Sequence, residues 1–179
     1  MSNDRVGLLV ERLSHLVRED LRAVATRHDL PLAQLEVLRF LAVANRFSNT
    51  VSGLVEYVGA TKGTLSQSVN ALERKGLVTR VADAGDRRVQ HCVLTDAGVA
   101  IVRESHQESA LGDVLDRATA ESLEGLLRAT LRARGGRAFG VCRSCLHHRA
   151  SADGRRCALL EVPLSDEDAR RICREHVAA

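Results

Sequence analysis

The chain has 179 residues, of which 45% are hydrophobic and only 2% aromatic, and carries a formal net charge of +3. That length holds one domain and a small appendage, and a core drawn from Leu, Val and Ala suits packed helices, so a disordered tail and an all-β sandwich are excluded. Because no apolar run approaches a membrane span and Met1 to Asp20 is too charged for a secretory signal, a cytoplasmic protein is expected.

From Arg5 to His28 the residues Leu9, Leu13, Leu16, Val17, Leu21 and Val24 recur at helical spacing, and Pro31 breaks the run. Leu32, Leu35, Leu38, Leu41 and Ala42 predict a second helix that ends near the polar stretch Asn45 to Asn49. Thr50 can cap a short third helix through Val51, Leu54, Val55 and Val58, with Gly59 and Ala60 as a tight turn. The next helix begins at an N-cap, Thr61, and closes at Gly76. Leu65, Val69 and Leu72 lie on one face of it, so Gly63, Thr64, Gln67, Asn70 and Arg74 point largely outward. A slim helix face of hydroxyls and amides suits base edges in a major groove, and Lys62, Arg74 and Lys75 are placed for phosphates.

A hairpin should follow, with strands at Leu77–Val81 and Val89–Leu94 around a turn from Ala82 to Arg88. Arg87 and Arg88 sit in that turn, where arginine can enter a minor groove and where Asp86 can hold a neighbouring guanidinium. Helix, turn, helix and basic hairpin together predict a winged helix-turn-helix. Thr95 is a candidate N-cap for a long helix from Asp96 towards Asp116, and Thr119 for another bearing Leu123, Leu126, Leu127 and Leu131. So much helix outside a winged lobe is expected to pack against a second copy, the alternative being a monomer with a longer bundle.

Gly135-Gly136 marks a change of composition. Beyond it, four cysteines follow as C-x2-C-x11-C-x15-C, namely Cys142, Cys145, Cys157 and Cys173. So short a segment can hardly hold a core unaided, and a structural zinc with these four cysteine ligands is the expected remedy. Ser165 followed by Asp166, Glu167 and Asp168 predicts a helix start, which would put His176 on one face with Cys173 as an alternative ligand. His147 and His148 are weaker competitors. Because all four ligands are thiolates, no position is left open for substrate, and the zinc is expected to lie beside the dimer helices, away from the wing. Cys92, inside a strand, is expected to be a small packed residue.

The ordered set Leu72-Glu73-Arg74-Lys75-Gly76-Leu77-Val78, Asp86-Arg87-Arg88 and Leu94-Thr95-Asp96-Ala97-Gly98 resembles the MarR family of bacterial transcription regulators, and the resemblance runs from Arg5 to about Arg134. It implies a winged lobe within residues 30–98 and a domain of residues 1–134 whose terminal helices dimerise, whereas the cysteine-rich extension over residues 135–179, read from the change of composition, lies outside it. It also implies a sequence-specific regulator of double-stranded DNA, expected to be a repressor, acting as a homodimer on a palindromic operator under small-molecule control. Thr61, Lys62, Gly63, Thr64, Gln67, Ser68, Asn70, Arg74, Arg87 and Arg88 are the expected DNA contacts. The competing readings are a zinc-stabilised protein-interaction module on a degenerate winged helix and a redox or iron-sulfur sensor in the tail. An enzyme is not expected, since no nucleophile with a base, no phosphate loop and no open metal site can be assembled.

Overall fold

A computed structural model describes residues 3–109, 111, 116–137, 139–151 and 154–178. The winged lobe is built on α2 (Leu32–Val43), whose Leu35, Val37, Leu38, Phe40 and Leu41 are all buried. These pack with Leu54, Leu65, Val69, Leu72 and Val78 into one core, which also takes up Leu21, Val24 and Ala25 from the end of α1 (Asn3–Arg27). Removal of this apolar surface from water is the main force holding the lobe.

Each short helix of the lobe is bounded by local chemistry. The Thr50 hydroxyl accepts from Gly53 N–H at the start of α3 (Val51–Val58), and Gly59 ends it in the left-handed region at φ 76°. Thr61 accepts from Thr64 N–H at the start of α4 (Lys62–Arg74), and Gly76 follows at φ 70°. Strands β1 (Val78–Ala82) and β2 (Gln90–Leu94) pair antiparallel, with Arg80 opposite Cys92. The hairpin therefore turns one residue later than the sequence reading placed it.

Thr95 caps α5 (Asp96–Gln107), and its hydroxyl also reaches Gly76 O at 2.7 Å, which ties the helix to the end of α4. Helix α5 stops at Gln107, well short of the expected Asp116, because the Glu108 and Ser109 amides close the last turn. The rest of the expected span falls largely outside the described residues. The cap of α6 (Arg117–Ala133) is Asp116, not Thr119: its carboxylate accepts from Thr119 N–H at 2.7 Å, and a negative charge suits the positive end of the helix.

The chain after α6 is more ordered than its composition suggested. β3 (Gly140–Val141) pairs with β7 (Ile172–Cys173), and β4 (His148–Ser151), β5 (Gly154–Cys157) and β6 (Val162–Leu164) form a small antiparallel sheet. Between them, α7 (Asp166–Arg170) opens on a capping box in which Ser165 and Asp168 bond each other's main chain. Helix α7 ends at Arg170, so Cys173 stands on a strand and shares no helix face with His176. That removes the geometry on which His176 was an alternative ligand. Its ring lies instead beside Gly140, with Nε2 3.1 Å from Ser144 Oγ.

The tail is seated on the winged lobe, not apart from it. Asn45 N–H donates to Ile172 O at 2.9 Å, Arg174 N–H to Ser48 Oγ at 2.9 Å, and Arg171 to Ala44 O at 3.3 Å. Arg174 also pairs with Glu56 on α3, and Phe139 closes an aromatic trio with Phe40 and Tyr57. The expected placement away from the wing is thus corrected: pairings across more than a hundred residues carried no local signal.

Candidate nucleic-acid interface

Helix α4 buries Leu65, Val69 and Leu72 and leaves Thr61, Lys62, Gly63, Thr64, Gln67, Asn70 and Arg74 exposed, with Ser68 partly covered. The burial follows from the i, i+4, i+7 spacing, and it fixes which face is presented. Thr61 and Thr64 hydroxyls lie 2.9 Å apart at the first turn, and Ser68 turns its hydroxyl back to Thr64 O at 3.1 Å. The free donors and acceptors along the rest of the face are those of Lys62, Gln67 and Arg74.

Two of the expected contact residues also have partners within the chain. Asn70 Oδ1 accepts from Arg80 on β1 at 2.5 Å, and the same guanidinium pairs with Glu73 at 3.2 Å, so Asn70 joins helix to wing. Its remaining amide N–H is what it can offer outward. Lys75 is directed back to the carbonyl of Asp29 at the end of α1, and so helps hold that helix on the lobe. Arg80 was missed in the sequence because its partners stand seven and ten residues upstream, across a turn.

At the wing tip Arg88 is fixed by a fork to Asp86, Nε to Oδ1 at 2.9 Å and Nη2 to Oδ2 at 2.8 Å, while its side chain is 91% exposed. The guanidinium holds the Asp86 carboxyl below its ordinary range. Arg87 is likewise exposed. Beneath the tip, Asp83 Oδ1 accepts from the amides of Gly85 and Asp86 and shapes the turn. Its carboxyl is held down to about 2, mainly by His91, whose Nε2 stands 3.0 Å from Oδ2, and then by the same two amides.

His91 is the second residue that the sequence did not reveal. Its other nitrogen lies 2.9 Å from Asn49 Oδ1, and Cys92 N–H donates to Asn49 O at 2.7 Å, so the wing is laced to the loop between α2 and α3. Cys92 is buried among the core residues as expected, and burial pushes its thiol up. A cleft of about 570 Å³ runs between this loop, α4 and the wing; Lys62, Ser66 and Arg88 line it together with Arg46, Leu160 and Arg174. Residues of the tail therefore border the candidate nucleic-acid surface.

In the tail, Cys142, Cys157 and Cys173 are buried in one cluster with Leu164, and Cys145 is partly exposed. Burial, then Cys173, Cys145 and Cys157 in turn, push the Cys142 thiol up to about 12. The four thiols therefore share one neighbourhood. Among the described residues, however, no three His, Cys, Asp or Glu side chains are gathered tightly enough to hold a metal ion as they stand.

A capped, slim helix presented beside an arginine-tipped hairpin defines the winged helix-turn-helix class of DNA-binding proteins. Residues 28–89 match the profile of the MarR family. The structure is similar to apo wild-type MarR from E. coli, with 26% identity over 70% of this chain and 96% of that one and a TM-score of 0.51. A MepR mutant from a multidrug-resistant S. aureus clinical isolate shares the fold at 23% identity, 72% and 96% coverage and a TM-score of 0.57. So does CouR from Rhodococcus jostii RHA1 bound to p-coumaroyl-CoA, at 18% identity, 71% and 92% coverage and a TM-score of 0.59. The likeness to the MarR family thus lies in the winged lobe, over residues 28–89.

Proposed function

We propose that the protein is a homodimeric transcriptional regulator, acting in the cytoplasm as a repressor, that binds a palindromic site in double-stranded DNA. The observation that carries this reading is the pairing of α4 with the wing: the polar helix face and the exposed guanidinium of Arg88 look outward from one rigid lobe. Gln67 and Thr64 are placed to read base edges in the major groove, Lys62 and Arg74 to meet phosphates, and Arg87 and Arg88 to enter the adjoining minor groove.

The dimer is supported by the apolar faces of the terminal helices. Leu8 is 66% and Leu127 59% exposed, and Leu9, Leu13, Leu16, Leu123 and Leu126 are also uncovered. Leucines exposed in such a row on a monomer call for a partner, and a second copy supplies the same face with two-fold symmetry. Two lobes then present two α4 helices to successive turns of one groove.

Effector control fits a cleft of about 750 Å³ between α2, β2, α5 and α7, where Arg46, Arg103 and Arg171 surround Leu41, Val99 and Val102. That mixture suits an anionic molecule with an apolar body. None of the described helices is long and apolar enough to cross a membrane. Selection of bound sequences from a random duplex pool tests the central claim: a two-fold symmetric consensus supports it, and enrichment of no sequence at low salt overturns it.

A further inference from the structure

We propose that Cys142, Cys145, Cys157 and Cys173 bind one zinc ion, and that this ion locks the tail onto the loop between α2 and α3, so that its loss loosens the wing. The four thiols are delivered by three pieces of backbone: one turn, β5 and β7. Cys142 opens a 3-10 turn whose last amide, Cys145 N–H, donates to Cys142 O at 3.0 Å, the tight turn that lets a C-x-x-C pair face one point. Cys142 N–H in turn bonds Arg171 O, beside the strand that carries Cys173. Cys157 stands in register with His148, three residues beyond Cys145.

The sulfurs are also dressed as thiolates would require. Cys145 Sγ accepts from His147 N–H at 3.5 Å and Val177 N–H at 3.4 Å. Main-chain donors aimed at sulfur neutralise part of the charge a tetrathiolate site carries. Asn45, whose main-chain N–H bonds Ile172 O beside Cys173, is fully buried, and its Nδ2 has no hydrogen-bond partner. Such a donor suits a thiolate that is drawn closer. Closing the site takes rotation of the thiols about their side-chain bonds, since three of them already share one small cluster. An all-thiolate set favours zinc over harder cations and leaves no coordination position for water.

The consequence for the wing follows a continuous path. Asn45 binds Ile172 O by its amide, and its Oδ1 accepts from the hydroxyl of Ser48, which itself receives Arg174 N–H. Next in the loop, Asn49 holds His91 and Cys92 of β2, and His91 holds Asp83 beneath the wing tip. Metal at Cys173 thus bears on the loop that supports Asp83, Asp86 and Arg88. The metal half of this proposal stands without the DNA reading, whereas the consequence for gene control rests on it.

The full chain, purified without oxygen, is tested by metal analysis, by substitution with cobalt(II), and by amide hydrogen exchange with and without a chelator. About one zinc per chain is expected, with a sulfur-to-cobalt charge-transfer band that is lost in Cys142→Ser, Cys145→Ser, Cys157→Ser and Cys173→Ser and kept in Cys92→Ala. Exchange at the His91 and Cys92 amides should rise about tenfold or more when zinc is stripped from the wild-type chain, so that no variant has to fold for the coupling to be read. Ser48→Ala should keep its zinc yet show a smaller rise. Iron with sulfide, disulfides, or four free thiols without metal would each overturn the site. Zinc whose removal leaves wing exchange unchanged would overturn the coupling, and zinc-loaded protein that ignores every duplex would count against the DNA reading alone.

Discussion

Arg88 shows how a single side chain can be functional without being structural. Its guanidinium touches only its own turn, so Arg88→Ala is expected to leave the melting temperature unchanged while weakening operator binding by roughly 1–3 kcal/mol, and Arg87→Ala less, in fluorescence-anisotropy titrations of the duplex. Gln67→Ala should relax base preference at one position of each half-site, whereas Lys62→Ala should weaken all sequences alike and lower the salt slope by about one. A different rule governs Asp83. Its folded carboxyl lies at about 2, below the unfolded value near 3.9, so its contribution to the wing is fully present above about pH 4 and is lost as pH falls towards 2. Carbon-detected titration of Asp83 should follow that window, and His91→Phe, which removes the largest cause, should move the midpoint upward.

At the scale of elements, the lobe depends on close approaches of backbone as much as on apolar burial. Gly53 lies against the carbonyl of Ser48 and Gly98 against that of Leu77; a methyl group at either place would overlap main-chain atoms that cannot swing aside. Gly53→Ala and Gly98→Ala should each cost roughly 1–3 kcal/mol or more in chemical denaturation, as overpacking does. Gly63→Ala would bring its methyl only to an ordinary contact with the Thr61 hydroxyl at 3.9 Å and should be neutral or mildly stabilising in the same experiment. Thr61→Ala removes the cap of α4 and should cost about 1 kcal/mol. The loss should appear in DNA affinity as well, because the same turn presents Lys62 and Thr64.

For the molecule as a whole, the decisive surface is the row of leucines on α1 and α6. Leu127→Glu places a charge in the proposed dimer face and should shift the protein towards monomer in sedimentation equilibrium. Because two half-sites bind as one only when the lobes are joined, affinity for a palindrome should fall by about 10²-fold or more while affinity for a half-site is kept. A monomer–dimer balance insensitive to Leu127→Glu, Leu126→Glu and Leu9→Glu would remove these helices from the interface.

What the sequence determined by itself is what short-range chemistry controls. Thr50, Thr61, Thr95 and Ser165 announced helix starts because a hydroxyl reaches an amide only three residues on, and Gly59 and Gly76 marked ends because few other residues adopt positive φ. The exposed face of α4 was legible for the same reason, its buried stripe having the period of the helix. The cap at Asp116 was read three residues late, since Thr119 offers a similar oxygen and only the folded turn selects between them. Only the tertiary structure decided where the tail sits, that Arg80 engages Asn70, and that Asn49, His91 and Asp83 form one brace behind the wing. Those contacts join residues from eight to more than a hundred apart, across turns and between elements, and their partners are chosen by packing of the whole fold, which no periodicity or spacing encodes.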